Sequence, residues 1–284
     1  MTHNYKIIEI APKTYEIDEF DCDSIFVLLG ENKALVIDTG TGVGDLKTAV
    51  ESLTGDLPYE VVISHGHVDH TGGVGWFDEV YLNAIDWDLY PYPASVEARR
   101  NYAHFIAERS GLRYDYDPQT DIIEWPKLAK RLPLTDGQRF DLGGRVVTAY
   151  ACPGHTPGEM VFIDSGSRIL FAGDAINGNL LFGSLPGTPQ FVSVETALKA
   201  LERIDSFKDQ YDHIFNQHHD YRPFGQPLCD EMLPSVLTAC RKLVDGSYEA
   251  KTVPGMFPGS PDRTVVIEGP AMITFRAEGI HEPK

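Results

Sequence analysis

The sequence is short of positive charge, cysteine and long hydrophobic runs, and each shortage excludes a class of protein. Its 24 Lys and Arg residues stand against 42 Asp and Glu residues, which gives a formal net charge of −18. Because phosphate backbones and anionic membranes bind to clustered Lys and Arg, this balance argues against nucleic acid and membrane as partners. A small-molecule substrate in a locally positive pocket is compatible with it.

The cysteines are widely spaced, and no C-x-x-C pair occurs among Cys22, Cys152, Cys229 and Cys240. This spacing is typical of free thiols in a reducing compartment rather than of a disulfide framework. Residues 1–17 contain no apolar signal-peptide core, and no segment approaches the roughly 18 apolar residues of a membrane span. We therefore predict a cytoplasmic protein. The sequence does not indicate an oligomeric state.

Most of the chemical information lies in one hexapeptide, His65-Gly66-His67-Val68-Asp69-His70. The run before it, Val61–Ser64, is β-branched and apolar and predicts a buried strand, while Thr71-Gly72-Gly73 after it ends any extended structure. On a continuing strand Asp69 and His70 would point to opposite faces of the sheet. A strand that ends in a turn allows the three imidazoles and the carboxylate to converge. The hexapeptide therefore predicts a metal site, and its four ligands favour two metal ions.

Three later loops repeat this pattern of a polar side chain just beyond an apolar strand. They contain His155, Asp174 and the adjacent pair His218-His219. Taken singly, a His or Asp beside Gly is more often a turn residue than a ligand. Their shared position at the carboxyl ends of strands is where an α/β layer collects its ligands, so we expect them to join the hexapeptide.

The predicted elements run from strands to a helix twice, which indicates two layered halves packed sheet on sheet with helices outside. The predicted strands are Lys6–Ile10, Thr14–Ile17, Ser24–Leu29, Ala34–Asp38, Val61–Ser64, Val146–Ala151, Met160–Ile163, Ile169–Ala172 and His213–Asn216, with a final hairpin of Thr264–Ile267 and Met272–Arg276. The predicted helices are Val43–Leu53, Ser95–Glu108 and Val194–Ser206, followed by two helical pieces between Pro227 and Val244, the second opened by Pro234.

Two segments break this rhythm, an aromatic-rich stretch at about 76–132 and an extension at about 221–284. We interpret residues 1–284 as a single domain, with 76–132 as an insertion over the site and 221–284 as a helix and hairpin. Arg99 and Arg100 would either bind a substrate carboxylate or, as we favour, lie on an exposed helix face. The aromatic side chains would line a substrate pocket or form the core of the insertion itself: Trp76, Trp87, Tyr90, Tyr92, Tyr102, Phe105, Tyr114 and Tyr116.

The ligand motifs resemble those of the metallo-β-lactamase fold superfamily in order and spacing, over the framework from Tyr5 to Asp220. The resemblance implies an α/β fold, an αββα sandwich of two mixed β-sheets packed face to face, with helices outside and the metal site at one edge. Within the superfamily the chain is more similar to the glyoxalase-II-like and lactonase-like members than to the secreted β-lactamases. Carried over residue by residue, one metal ion would be bound by His65, His67 and His155, a second by Asp69, His70 and His218, and both by the bridging Asp174.

Two further positions follow from the resemblance. Asp38 matches a position that orients metal ligands in the family. The last His of the family usually follows Gly, whereas here Gln217 precedes His218 and His219 comes next. The alignment favours His218 as the ligand, and His219 is the alternative.

Imidazole and carboxylate ligands suit Zn²⁺, and also Fe²⁺ or Mn²⁺. A hydroxide held between two such ions is a nucleophile at neutral pH, and an adjacent ion polarises a carbonyl or phosphoryl oxygen. Asp69 is the residue expected to take or give a proton during turnover. We therefore expect hydrolysis of an ester, thioester, lactone or amide bond of a small substrate. No G-x-S-x-G motif indicates a covalent intermediate.

Two alternative activities use the same ligands. One is a phosphodiesterase acting on a small phosphoester, and the other is an iron-dependent oxidoreductase similar to persulfide dioxygenases. Cys152 lies three residues before His155 and would be either a thiolate near the metal ions or, as we favour, a small buried residue.

Overall fold

A computed structural model describes residues 5–21, 23–92, 94–109, 111, 116–182, 188–219, 221–256 and 259–283. Cys22, Tyr114 and Asp220, which enter the predictions above, lie outside these residues. The strands are β1 (Lys6–Ala11), β2 (Thr14–Asp18), β3 (Ser24–Leu29), β4 (Ala34–Ile37), β5 (Tyr59–Val62), β6 (Glu79–Leu82), β7 (Lys130–Pro133), β8 (Arg139–Asp141), β9 (Val146–Ala151), β10 (Met160–Asp164), β11 (Ile169–Phe171), β12 (Asn179–Leu181), β13 (His213–Phe215), β14 (Lys251–Val253), β15 (Arg263–Glu268) and β16 (Ala271–Thr274). The helices are α1 (Leu46–Thr54), α2 (Val68–Thr71), α3 (Ala84–Leu89), α4 (Val96–Arg109), α5 (Pro118–Asp121), α6 (Val194–Asp205) and α7 (Met232–Asp245), with 3₁₀ turns at Val74–Trp76, Lys208–Gln210 and Ala277–Gly279.

The first sheet has the strand order β1-β2-β3-β4-β5-β6-β7. Its first four strands are antiparallel neighbours, whereas β4 to β7 run parallel, so the sheet is mixed. Ile37 at the end of β4 pairs with Val62 at the end of β5. Because parallel strands end at the same edge of a sheet, Asp38 and the hexapeptide leave the sheet side by side.

The second sheet has the order β13-β11-β10-β9-β8 and is also mixed, since β11 and β13 are parallel and the other pairs are antiparallel. Phe171 pairs with Phe215 at the ends of β11 and β13, so the loops that carry Asp174 and His218 begin at one edge. The turn from β9 to β10, which carries His155, lies at this same edge. The sheet topology therefore brings the three predicted loops together.

The two sheets pack face to face through a buried apolar core. Phe26 and Leu35 of the first sheet belong to one cluster with Phe162 and Phe171 of the second, and the rings of Phe26 and Phe171 are 4.7 Å apart. On its other face the first sheet packs against α1, and the second sheet packs against α6 and α7. The predicted fold class, an α/β sandwich of two mixed sheets with helices outside, is confirmed.

Two helices differ from their predicted bounds for reasons that lie in their first turns. Helix α1 begins at Leu46 rather than Val43, because the Asp45 side chain caps it by accepting the N–H of Thr48 at 3.0 Å. The two predicted pieces between Pro227 and Val244 are one helix, α7. Pro234 lies in its first turn rather than opening a second helix. Proline is tolerated there because N–H groups of the first turn have no helical partner.

Five strands that the sequence pattern did not predict extend the framework, and one of them, β8, forms an edge of the second sheet. β6 and β7 lie within the segment 76–132 and add to the first sheet. β12 pairs in parallel with β16, and the confirmed hairpin of β15 and β16 joins β14 in a third sheet of order β12-β16-β15-β14. These five strands are three or four residues long and show too little alternation to be recognised from sequence. Across the described residues, no helix combines the length and apolarity that crossing a bilayer requires.

Candidate metal centre

The hexapeptide begins just after β5 and ends in the single helical turn of α2. His67 is the residue before this turn, and its carbonyl accepts the backbone N–H groups of His70 and Thr71 at 3.2 and 3.0 Å. The change from extended to helical backbone lets the imidazoles of His65 and His67 face one set of neighbours and the side chains of Asp69 and His70 another. The predicted strand that ends in a turn is confirmed.

His65, His67 and His155 form the first cluster, which we name the histidine group. Their ligand atoms all lie within 4.8 Å of one another. His67 Nδ1 is 3.0 Å from His65 Nε2 and 2.9 Å from His155 Nε2. Three imidazole nitrogens from two loops thus converge on one point.

Asp69, His70 and His218 form the second cluster, the aspartate group, with ligand atoms again within 4.8 Å. His70 Nε2 lies 3.7 Å from Asp69 Oδ1, and His218 Nε2 lies 3.8 Å from Asp69 Oδ2. Asp174 stands between the two groups. Its carboxylate oxygens are 3.5 Å from His155 Nε2 on one side and 3.2 Å from His218 Nε2 on the other.

These distances fit metal ions better than hydrogen bonds alone. Within the described residues, His70 Nε2 is buried and has no hydrogen-bond partner. Burying such an atom unpaired costs about 1–3 kcal/mol, and a bound cation would remove that penalty. In the histidine group, His67 Nδ1 faces two imidazole nitrogens, although it can serve only one of them as donor or acceptor. The residues of both groups can therefore hold metal ions.

The histidine group favours neutral imidazole, which is the form that binds metal. Burial lowers the pKa of His65 well below its usual value, and the neighbouring imidazoles add to this effect. Burial also lowers the pKa of His67, to about 3, and that of His155. The three side chains consequently present uncharged nitrogen ligands across the physiological pH range.

Carboxylates act in the opposite direction in the aspartate group. Burial lowers the pKa of His70, but the charges of Asp23, Asp69 and Asp38 outweigh it and hold that pKa well above its usual value. The pKa of His218 is also raised, because nearby carboxylates outweigh its burial. This side of the centre is therefore the more negative one.

Asp38 lies behind His70, as the resemblance implies. Its Oδ2 is 3.1 Å from His70 Nδ1 and accepts hydrogen bonds from the Ser64 hydroxyl and from Gln217 Nε2, each at 2.8 Å. Asp38 itself has a left-handed backbone with φ of 65°, which costs energy for any residue other than glycine. Fixing Nδ1 of His70 in this way leaves Nε2 free to face Asp69 and Asp174.

His218 and His219 point to different surroundings. His218 lies in the aspartate group, whereas His219 Nε2 is 2.6 Å from Ser24 Oγ and 3.2 Å from Glu16 Oε1. Gln217, at the position where the family usually has Gly, donates to Asp38. The geometry thus agrees with His218 as the ligand and gives His219 a set of hydrogen bonds of its own.

Sequence reasoning missed two polar side chains at the centre, Asp86 and Glu159, and it assigned Tyr102 a place in the pocket wall but not its contact with Asp69. Glu159 Oε1 accepts the N–H of Asp174 at 2.9 Å and lies 3.6 Å from His65 Nδ1. Its position in the loop of His155, directly before β10, is a signal that could have identified it. Asp86 and Tyr102 belong to the segment 76–132, where no motif marks them.

Arg99 is not on an exposed helix face, so that expectation was wrong. The side chain is buried, and its guanidinium donates to the carbonyls of Ile123 at 2.6 Å and Gly72 at 3.4 Å while stacking over Trp125. Cys152 is buried in the core with α6 and α7, and burial raises the pKa of its thiol. The preferred interpretation of Cys152 as a small buried residue is confirmed.

A cavity of about 480 Å³ opens at the two groups. Tyr102 and Phe105 of the aromatic segment line it, whereas Trp76 packs on Trp125 and Tyr116 packs on Phe20. Both predicted roles of the aromatic residues are therefore found, in different residues. The remaining lining is His67, Val68, Asp69, Ile106, Arg109, His155, Asp174, Asn177, Asn179, Leu181, His218, Tyr221 and Met256.

Two relatives of the chain are named as thioesterases. Acyl-coenzyme A thioesterase MBLAC2 of Homo sapiens is 26% identical over 205 residues, which cover 64% of this chain and 68% of that protein. Atrochrysone carboxyl ACP thioesterase dmxR1 of Cryptosporiopsis sp. is 28% identical over 178 residues, which cover 62% of this chain and 42% of that protein.

Solved structures share the fold at low sequence identity. The DIM-1 metallo-beta-lactamase superposes with a TM-score of 0.56 at 15% identity, covering 85% of this chain and 99% of that chain. The sec-alkylsulfatase Pisa1 from Pseudomonas sp. gives a TM-score of 0.58 at 17% identity, covering 86% of this chain and 42% of that chain. A family model for the metallo-beta-lactamase superfamily matches residues 17–211, more than half of the sequence. The chain therefore belongs to the metallo-β-lactamase superfamily, a superfamily of hydrolases.

Proposed function

We propose that this hydrolase uses two divalent metal ions, zinc foremost, to cleave the thioester bond of a small acyl substrate. The observation that carries the proposal is the position of Asp174 between two three-residue ligand groups at the floor of one cavity. The donor set is imidazole and carboxylate, which suits zinc. The unpartnered His70 Nε2 fits an ion at the aspartate group, and the two imidazole nitrogens that face His67 Nδ1 fit an ion at the histidine group.

Two divalent ions held there would supply a nucleophile from water at neutral pH and would polarise the substrate carbonyl. The chain's own residues orient these components. Asp38 orients the imidazole of His70 from behind, Glu159 Oε1 lies 3.6 Å from Nδ1 of His65, and Asp69 lines the cavity. Because Asp69 lies within the cavity wall, its carboxylate is placed to accept a proton from the attacking water.

The cavity supports a thioester over an ester or amide. Among the described residues that line it, no Asp, Glu, His, Cys or Lys side chain lies outside the two ligand groups and Asp174. A thiolate has a conjugate-acid pKa of about 8.5 and leaves without strong acid assistance, unlike an alkoxide or an amide nitrogen. Apolar side chains such as Phe105, Ile106, Leu181 and Met256 would contact the acyl group. The named relatives act on acyl-CoA and acyl-carrier thioesters.

The test combines metal analysis with a substrate series. We expect about two zinc or manganese ions per chain in protein purified without added metal, and thiol release from acyl-CoA substrates of increasing chain length. Asp174→Ala should lose metal and activity together. Asp212→Ala is the matched control, because Asp212 is an exposed carboxylate paired with Arg168.

Each other result contradicts the proposal in a distinct way. A chain with two metal ions that cleaves no thioester would have another substrate. Faster turnover of bis-p-nitrophenyl phosphate than of thioesters would indicate the phosphodiesterase. One iron per chain with oxygen consumption would indicate the oxidoreductase.

A further inference from the structure

The segment 76–132 reaches the metal centre through two helices, and each helix contacts a different ligand group. Helix α3 lies beside the loops that carry the histidine group, and helix α4 lies beside Asp69. An insertion that only covered a pocket would need neither contact.

Asp86 of α3 binds both loops of the histidine group with one buried carboxylate. Its Oδ2 accepts the backbone N–H of Gly66 and the hydroxyl of Thr156, each at 2.8 Å, and its Oδ1 accepts the N–H of Gly158 at 2.7 Å. Gly66 separates His65 from His67, while Thr156 and Gly158 flank the turn after His155. A side chain at Gly158 would come within 2.4 Å of the Asp86 carboxylate, so the packing is close.

Tyr102 of α4 binds the aspartate group. Its hydroxyl donates to Asp69 Oδ2 at 2.5 Å, on the wall of the cavity. Other residues of α4 anchor the helix independently of this bond. The buried Arg99 donates to the carbonyls of Gly72 and Ile123, and the side chains of Ala103 and Ile106 pack in the core. Removal of the Tyr102 hydroxyl should therefore leave the helix in place.

We propose that the segment 76–132 is a positioning element of the metal centre, in which Asp86 holds the histidine group and Tyr102 holds the aspartate group. Without the Asp86 carboxylate, which accepts hydrogen bonds from both loops of the histidine group, His65 and His67 can move relative to His155. Losing the phenol lets the Asp69 carboxylate rotate. Partners behind metal ligands typically contribute 10–100-fold to metal affinity, through the orientation they impose. The inference rests on the proposed function in that both groups bind metal.

The test measures zinc affinity at each group separately by competition with a chelator. His218→Ala leaves the histidine group intact, and His155→Ala leaves the aspartate group intact. Adding Asp86→Asn to the first background should raise the zinc Kd about 10–100-fold, while adding Tyr102→Phe should change it less than about threefold. In the His155→Ala background, Tyr102→Phe should raise the zinc Kd about 10–100-fold, and Asp86→Asn should change it less than about threefold.

Two control substitutions remove comparable hydrogen bonds elsewhere. Glu19 is a buried carboxylate that accepts the backbone N–H groups of Thr41, Gly42 and Val43, and Tyr116 donates its hydroxyl to the Ala103 carbonyl at 3.1 Å. Glu19→Gln and Tyr116→Phe should lower the melting temperature and leave both zinc Kd values unchanged. A purely structural role of Asp86 and Tyr102 would give the same pattern as these controls.

Three outcomes overturn the inference. The first is that Asp86→Asn and Tyr102→Phe each weaken zinc binding equally at both groups. The second is that they lower the melting temperature and change neither zinc Kd. In those cases the proposed function stands if the unmodified chain binds two zinc ions and cleaves thioesters. An unmodified chain that binds fewer than two zinc ions overturns the proposed function and this inference together.

Discussion

The histidine group and the aspartate group share Asp174 but surround it with different chemistry. The histidine group offers three imidazoles whose pKa values are lowered by burial. The aspartate group includes a carboxylate ligand, and two more carboxylates, Asp23 and Asp38, face His70 from behind at 3.8 and 3.1 Å. The two halves of one centre are thus unequal in charge.

One hexapeptide can therefore contribute side chains to two groups of unlike charge. His65 and His67 leave the end of a strand, whereas Asp69 and His70 lie on the first turn of a helix, so the backbone change between them separates the two pairs. A cation at the aspartate group meets more negative charge than one at the histidine group. The predictions below test whether the two sites are also unequal in function.

The largest expected effect comes from removing one ligand from each group. His155→Ala and His218→Ala should each leave about one metal ion per chain, and each should lower kcat/KM for thioesters about 10³-fold, or about 4 kcal/mol of transition-state stabilisation. In the proposed function, attack and carbonyl polarisation would be divided between the two ions, so each variant would lack one of these contributions. Metal analysis and steady-state kinetics check this, with His104→Ala as control, because His104 is an exposed histidine on α4. Full activity of His218→Ala would show that the aspartate group is dispensable.

A smaller effect is expected from Asp38→Asn. Asparagine tolerates the left-handed backbone of this position, so the substitution removes a charge and keeps the conformation. Losing the carboxylate behind His70 Nδ1 should weaken metal binding at the aspartate group about 10–100-fold and leave the histidine group unchanged. Chelator competition in the two single-group backgrounds measures both values. Equal weakening of the two groups would contradict the separation argued here.

The fold could be predicted from sequence where patterns are long and local. The strands that lead into the ligand loops are apolar and β-branched. Their alternation with helices along the sequence predicts the layered arrangement. The short strands β6 and β7 were missed because four residues carry little pattern, and α7 was divided at Pro234 although proline is tolerated in a first turn.

The candidate site could be predicted where ligands are clustered in sequence, as in the hexapeptide. The contacts of Asp86 and Tyr102 with the ligand loops could not, because each joins residues too far apart in sequence for a local motif, 70 residues from Asp86 to Thr156 and 33 from Tyr102 to Asp69. The prediction that Arg99 is exposed was wrong for a related reason. A charged residue on a helix is usually exposed, and its burial here depends on carbonyls of two other segments.

The two groups should also differ about tenfold in their preference between Mn²⁺ and Zn²⁺. Carboxylate ligands favour harder cations such as Mn²⁺, and imidazole-only sets favour Zn²⁺. We therefore expect the ratio of the Mn²⁺ Kd to the Zn²⁺ Kd to be about tenfold lower in His155→Ala, which keeps the aspartate group, than in His218→Ala. Titration of each variant with both metals gives the two ratios. Equal ratios would mean that the negative charge around the aspartate group does not select the ion.

A further expected effect, on stability rather than on metal binding, concerns the loop that carries His218, which depends on a buried ion pair. Arg222 donates to Glu16 at 2.8 Å and to the carbonyl of Asn216, just before the ligand. Burial raises the pKa of Glu16, but the hydrogen bond with His219 and the charge of Arg222 outweigh it and lower that pKa from 4.5 to about 2. A carboxyl whose pKa is lower in the folded than in the unfolded state stabilises the fold above the unfolded value. That contribution is lost as the pH falls towards the folded value.

The stabilisation from Glu16 should therefore be complete above about pH 5 and should disappear between about pH 4.5 and pH 2, with a magnitude of up to about 3 kcal/mol. Urea unfolding of the metal-free chain and of metal-free Glu16→Gln across this range isolates the effect, because the metal ligands titrate equally in both. The free energies of unfolding should differ at pH 6 and converge near pH 2. A constant difference would mean that Glu16 contributes through packing, so that the loop of His218 would not depend on this charge.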